Sequence, residues 1–396
     1  MITLVYKQVS GLDLQVDIHP PWLSPPGIDT DSAIEEAPAV LFFHGGGLTV
    51  GNRTSWFPYW MQKRFTEKGY LFMSADYRLL PPSTGREIVE DVVDLWVFLN
   101  DPSLSFKFPE LEGRAVNIRQ GSMVVAGVSA GGLCAYLAAV HCNSPRPRAV
   151  LSCYGMGGDF LTPHYLTPKT QPFFRGRELL SPTDPSLRPF VFPFAPTSQS
   201  SAPTSDSPLS YNPPGHPTKP GYPSNPRMLL ARLYLQLGTY LDYYTGEHEP
   251  SLSGQLREVL QAESEVIDKK GMLREAEKVI GENVLHLFPQ FSLSNSKEDT
   301  IIWPPTVLIH GTDDTAVPIH ESRNLYRLLT SSRDDTNKDI GNSGAVEDLL
   351  IEVPGAEHSF DLAPDAEEKY GEVFEKAVEF VHRAVFNMTG EGDSAC

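Results

Sequence analysis

The chain has 396 residues, 40% of them hydrophobic, 10% aromatic and 21% charged. That apolar share supports a large packed core and excludes a wholly disordered chain. Lys+Arg 32 against Asp+Glu 50 leaves a formal charge of −18, which argues against a broad basic surface for nucleic acid or anionic lipid.

In chain order, Met1 to Lys7 reads as a strand and lacks the basic stretch, apolar run and small residues of a secretion signal. Leu12 to Asp17 alternates apolar and polar after a Ser10-Gly11 turn, predicting a hairpin partner. Ala39–Phe43, Tyr70–Ala75, Met123–Ala126 and Ala149–Cys153 are short, continuous apolar runs, the signature of strands buried on both faces. Between the second and third, Ile88, Val92, Leu95, Trp96 and Leu99 recur at helical spacing. Strands spaced by helices predict an α/β fold, a mostly parallel central sheet flanked by helices.

The pattern breaks near Phe160. From Pro163 to about Pro226 the chain is crowded with Pro, Ser and Thr, a composition that cannot hold continuous helix and reads as an irregular lid or loop. A helix over Met228–Tyr244 is expected, with Leu230, Leu233, Leu237, Leu241 and Tyr244 on one face. Strands resume at Thr306–Ile309 and Leu349–Val353, separated by a polar stretch, Ser331 to Glu347, that reads as an exposed insertion. A last helix is expected over about Ala366–Val385. The expected organisation is a core in two parts, 1–158 and 299–388, interrupted by a large Pro-rich and helical cap, 159–298, and followed by a tail, 389–396. No stretch approaches the ~20 apolar residues of a membrane span, and Gly392 to Cys396 matches no prenylation or peroxisomal signal. A cytoplasmic protein is expected. Four cysteines in a chain this long make no disulfide framework.

Chemistry concentrates at the ends of the buried runs. Gly127-Val128-Ser129-Ala130-Gly131 follows one run and opens a helix. Glycines on both sides of a serine permit a sharp strand-to-helix turn that holds the hydroxyl clear of the sheet. His44-Gly45-Gly46-Gly47 follows another, and successive glycines let backbone N–H groups approach a reacting atom. No Gly-Lys-Ser/Thr or GxGxxG spacing accompanies it, which disfavours a phosphate cradle. His44 itself reads as a loop brace.

His310-Gly311-Thr312-Asp313-Asp314 ends the next run and supplies a carboxylate: Asp314 by spacing, with Asp313 the fallback and an ordinary turn role the plain alternative. Gly355-Ala356-Glu357-His358 ends the last run and offers a histidine where a general base is needed. Serine, acid and histidine thus arrive in that order, each at the C-terminal end of a strand, the edge where sites form in open α/β sheets.

These motifs, with Asp76-Tyr77-Arg78-Leu79-Leu80-Pro81, resemble the α/β-hydrolase fold and its hormone-sensitive-lipase-like esterases over roughly 38–155 and 300–385. The Pro-rich insertion, Trp303-Pro304-Pro305 and His286-Leu287-Phe288-Pro289 look most like filamentous-fungal members. The resemblance implies Ser129 as nucleophile, His358 as general base and Asp314 as its orienting acid. It also implies an oxyanion hole from Gly46, Gly47 and Ala130, buttressed by Asp76-Tyr77-Arg78. Two departures stand out: Val128 replaces the acidic residue common before the serine in bacterial members, and the acid loop reads more like that of prolyl-oligopeptidase-type enzymes.

The expected activity is hydrolysis of a small-to-medium apolar or aromatic ester, with a small-molecule partner, no cofactor, no metal and no nucleic acid. An acyltransferase or lactonase could run on the same triad; a peptidase or a non-catalytic ligand-binding protein fits less well.

Overall fold

The computed structural model describes residues 1–22, 34–111, 114–194, 202–263, 269–294, 302–340 and 347–386. The expected tail, 389–396, lies outside them.

Its strands are β1 (Ile2–Val9), β2 (Leu12–His19), β3 (Ile34–Phe43), β4 (Leu71–Ala75), β5 (Phe106–Lys107), β6 (Ala115–Val128), β7 (Val150–Cys153), β8 (Thr306–Gly311) and β9 (Leu349–Val353). They form one sheet in the order β1-β2-β4-β3-β6-β7-β8-β9, with β5 on β6. β1–β2, β2–β4 and β5–β6 pair antiparallel, and every other pair is parallel. The register sets Phe43 beside Gly127, Gly127 beside Ser152, Ser152 beside Leu308 and Leu308 beside Leu350. Five strands, β3, β6, β7, β8 and β9, therefore end along a single edge, and the loops leaving them meet there.

The continuous apolar runs are explained by burial on both faces. Leu41, Phe43 and Val125 pack on one side with α2 (Gly85–Leu99) and α3 (Ala130–His141). Val40, Phe42, Val124 and Ala126 pack on the other with α1 (Tyr59–Glu67) and α12 (Ala366–Phe386). There the Trp60 and Phe374 rings stack at 4.1 Å, and a fully buried side chain such as Phe374 stabilises by about 1.5–3 kcal/mol. Helix α2 begins at a capping box in which Glu87 accepts the Thr84 N–H at 2.7 Å.

Between β7 and β8 lie α4 (Pro163–Leu166), α5 (Arg227–Leu237), α6 (Tyr240–Thr245), α7 (Leu252–Glu263), α8 (Lys269–Ile280), α9 (Glu282–Leu285) and α10 (Pro289–Ser294). The single helix expected over Met228–Tyr244 is two. Gly238 ends α5 in the left-handed conformation (φ 63°), and a Cβ there would sit 2.7 Å from the Leu166 carbonyl oxygen. Leu230, Leu233, Leu241 and Tyr244 are still buried, while Leu237 is half-buried. The polar stretch after Ser331 also differs from expectation. Helix α11 (His320–Ile340) runs through its first half, since no proline or glycine interrupts the chain before Gly341, and 341–346 lie outside the described residues. No helix among the described residues is long and apolar enough to cross a membrane.

Candidate active site

Ser129 stands between β6 and α3 with φ 53° and ψ −122°. A side-chain-bearing residue held there is strained by roughly 1–3 kcal/mol, and the surrounding packing must enforce it. The Ser129 N–H donates to the Cys153 carbonyl at 3.0 Å, and its own carbonyl accepts from Gly132 and Met156 at 2.9 and 3.0 Å. The flanking glycines answer to close approach: a Cβ on Gly131 would sit 2.0 Å from the Phe43 oxygen, and one on Gly127 the same distance from the Gly131 oxygen.

The glycine loop after β3 lies against this turn, with a Cβ on Gly45 falling 3.3 Å from the Ser129 Cβ. Gly46 has φ +106°, a conformation that L side chains rarely adopt, and Gly47 follows at φ +62°. Ala130 opens α3, so its N–H belongs to the first turn, whose amides have no acceptor within the helix.

His44 is wholly buried, stacked on Tyr77 at 4.4 Å, with Nδ1 2.7 Å from the Gly45 carbonyl. Burial pushes its pKa down to about 4, so it is neutral and braces the loop. From the neighbouring strand end, the Tyr77 hydroxyl donates to the His44 carbonyl at 2.8 Å, and Asp76 accepts the Arg53 N–H and guanidinium at 2.7 Å each. On the opposite side of the loop, the Tyr240 hydroxyl donates to the Gly47 carbonyl at 3.1 Å.

The structure brings the three sequence-predicted side chains together. His358 Nε2 is 3.1 Å from Ser129 Oγ, and His358 Nδ1 is 2.7 Å from Asp314 Oδ2. The other carboxylate oxygen of Asp314 accepts the N–H groups of Ala316 and Val317 at 2.8 and 2.9 Å. Burial alone would raise this carboxyl, but hydrogen bonds from His310 and His358 outweigh it and hold the group well below the usual carboxylate range. The alternative acid, Asp313, is exposed and accepts the Thr312 hydroxyl.

Several supporting groups escape sequence reasoning. His310 is fully buried behind Asp314: its Nε2 lies 3.3 Å from Oδ2 and 2.8 Å from the Val317 carbonyl, and its Nδ1 meets the Ser322 hydroxyl at 2.7 Å. Tyr154, directly after β7, lays its ring against His358 at 4.6 Å and donates its hydroxyl to buried Asp361 at 2.5 Å. Trp60 donates to the other Asp361 oxygen at 3.0 Å. Position at the sheet edge was the one signal for Tyr154. Glu321, buried at the start of α11, accepts from the Gly157 N–H at 2.6 Å and the Tyr165 hydroxyl at 2.5 Å, fixing the chain just beyond Tyr154. Glu357 accepts from Thr315 and from the His358 N–H, all at 2.8 Å, tying the Asp314 and His358 loops together.

Ser129 and His358 open into a cavity of about 240 Å³, lined among others by Trp56, Met156, Tyr165, Met228, Leu235 and Tyr240. Apolar walls around a few convergent polar groups are the form of a small-molecule site. Among the described residues no cluster of His, Cys, Asp and Glu could hold a metal ion.

Comparison with known proteins bears on this arrangement. Residues 40–185 match a family model described as the alpha/beta hydrolase fold. The non-reducing polyketide synthase trt4 of Aspergillus terreus is 29% identical over 381 residues, 92% of this chain and 13% of that protein. The probable carboxylesterase M8 of Phoma sp. is 37% identical over 79 residues, 19% of this chain and 25% of its own. The chain thus spans 13% of the length of the first polyketide synthases it matches. Among solved structures, an alpha/beta hydrolase superfamily protein from Enterococcus faecalis superposes with TM-score 0.53 at 16% identity, covering 94% of this chain and 96% of that one.

Proposed function

We propose that this chain, an α/β-hydrolase by its fold and family match, is a serine carboxylic-ester hydrolase working through an acyl-enzyme on Ser129. One observation carries the reading: a single imidazole, His358, joins Ser129 Oγ at 3.1 Å to a buried Asp314 carboxylate at 2.7 Å. In the free enzyme His358 carries its proton on Nδ1, toward Asp314, which leaves Nε2 as acceptor. Nε2 takes the Ser129 proton as Oγ attacks the ester carbonyl. The oxygen of the tetrahedral intermediate is held by the N–H groups of Gly46, Gly47 and Ala130. Collapse breaks the C–O bond of the leaving alcohol, which receives the proton from His358. Water then gives its proton to His358 Nε2, attacks the acyl carbon, and releases the acid and a free serine.

In this reading 159–298 acts as a cap between the core parts 1–158 and 299–388. Its α5 and α6 wall the pocket, which suits a small-to-medium apolar or aromatic ester. No cofactor enters any step. The test is hydrolysis of p-nitrophenyl esters from acetate to dodecanoate beside Ser129→Ala. Native turnover peaking at short to medium chains, and falling by about 10³-fold or more in the variant, is expected. Undiminished turnover by Ser129→Ala would refute the mechanism.

A second reading has one observation in its favour, the match of 92% of the chain to part of a non-reducing polyketide synthase. The same triad would then release an acyl chain from a thioester, to water, to an alcohol, or as a lactone. Acyl-N-acetylcysteamine thioesters compared with the corresponding oxygen esters distinguish the two.

A further inference from the structure

We propose that the cavity over Ser129 contains an anion subsite, built on Arg232 with Arg177, that takes a substrate carboxylate remote from the scissile ester. The proposal deepens the esterase reading and rests on it.

The charged lining of this cavity is one-sided. Arg175, Arg177 and Arg232 face it with no aspartate or glutamate among the lining residues, in a chain whose formal charge is −18. Arg175 is already committed: its guanidinium donates to the His358 carbonyl, and its Nε lies 3.9 Å from Glu357.

Arg232 is different. It projects from α5 with 5% of its surface exposed, and its Nε has no hydrogen-bond partner. Among the described residues no carboxylate pairs with it; the side chain that supports its charge is that of Tyr222. The same helix shows what a satisfied arginine looks like here. Arg227, 7% exposed, donates to the carbonyls of Thr49, Leu80 and Pro81 at 2.6–3.1 Å.

A buried guanidinium without a counter-ion is costly, because its lost hydration is not replaced. Burial depresses the basicity of Arg232, Tyr222 opposes that, and the nearby charge of Arg177 adds to it, so the site concentrates uncompensated positive charge. Arg177 is exposed at the same cavity and stands ready to neutralise an incoming anion. The planar guanidinium fork matches the two oxygens of a carboxylate, and low local polarity strengthens the pairing. An ester carrying a free carboxylate would meet opposite charge inside the pocket of a chain whose formal charge is −18.

The test compares p-nitrophenyl hydrogen adipate, pimelate and suberate with the same compounds capped as methyl esters. At pH 7 the native protein is expected to favour at least one free acid over its capped form by about tenfold or more in kcat/KM. Arg232→Met should bring that ratio toward one, and Arg177→Gln, at an exposed position, should lower it several-fold even if the first variant does not fold. A native preference for the capped form at every length, or a ratio unchanged in both variants, would overturn the subsite. Failure of the esterase reading looks different: no ester, capped or free, would turn over. Calorimetric titration with 4-phenylbutyrate and 4-phenylbutyramide then reads the subsite directly. Carboxylate binding about tenfold tighter than the amide supports it, and equal or weaker binding overturns it.

Discussion

Replacing Asp314 with asparagine tests the acid assignment at the atom where it is made. All of the contacts of Asp314 come from donors: His358 Nδ1 at 2.7 Å and His310 Nε2 at 3.3 Å on one oxygen, Ala316 and Val317 N–H on the other. Asparagine has one oxygen and one NH2, so one side must mismatch. If the oxygen stays on the two backbone amides, the NH2 faces His358 Nδ1 and forces the imidazole proton to Nε2. That nitrogen then points a proton at Ser129 and cannot act as base. Mis-set tautomers of this kind cost about 10⁴ in kcat, or roughly 5.5 kcal/mol. If the amide turns the other way, two buried N–H groups lose their acceptor at about 1–3 kcal/mol each, and stability falls instead. We expect kcat for p-nitrophenyl butyrate to drop by about 10³–10⁴, with KM changed less than about threefold. Asp313→Asn, at an exposed carboxylate, should stay within about twofold of native. An Asp314→Asn protein that keeps more than a tenth of native kcat, or an Asp313→Asn protein that loses as much, refutes the assignment.

The strain at Ser129 predicts that Ser129→Gly, although inactive, unfolds in urea with about 1 kcal/mol more stability than Ser129→Ala, because glycine accepts φ 53° without a Cβ penalty; equal or lower stability removes the strain argument. Burial raises Glu321 from its ordinary 4.5 to about 8, so the folded state binds a proton that the unfolded state releases above 4.5. The native protein should therefore lose stability relative to Glu321→Gln as pH rises from 4.5 to about 8, with a slope of at most about 1.4 kcal/mol per pH unit. A difference that stays flat with pH contradicts a buried, protonated Glu321.

The fold was legible because burial writes itself into local sequence. Runs such as Ala39–Phe43 and Ala149–Cys153 carry no polar alternation, and a strand covered by helices on both faces needs none. The departures have local causes that periodicity does not weigh. One glycine, Gly238, splits an apolar stripe that otherwise continues, because tertiary packing puts the Leu166 carbonyl where a Cβ would be. In α11 the helix continues past Ser331 to Ile340 without apolar spacing, because no proline or glycine interrupts the chain there.

The candidate site divides along the same line. Its motifs announce themselves because each sits at a strand end, and in a parallel sheet those ends converge whatever lies between them. What steadies the motifs comes from pairings the chain does not encode locally: Tyr154 with Asp361 across 207 positions, Tyr165 with Glu321 across 156, Tyr240 with Gly47 across 193. Apart from Gly47, none of these residues has a spacing that marks it, since each partner is chosen by three-dimensional packing after the sheet has formed. Arg232 shows the limit most sharply. It stands on the opposite face of the helix from Leu230, Leu233 and Leu237, where an arginine on an amphipathic helix usually faces solvent. Buried beside the cavity and left without a carboxylate, it is instead a charge for which the folded chain supplies no partner. Its counter-ion has to come from outside; of the two cavities that Arg232 borders, one also contains Glu178 and Asp184, and the one free of carboxylates is the cavity that also holds Ser129.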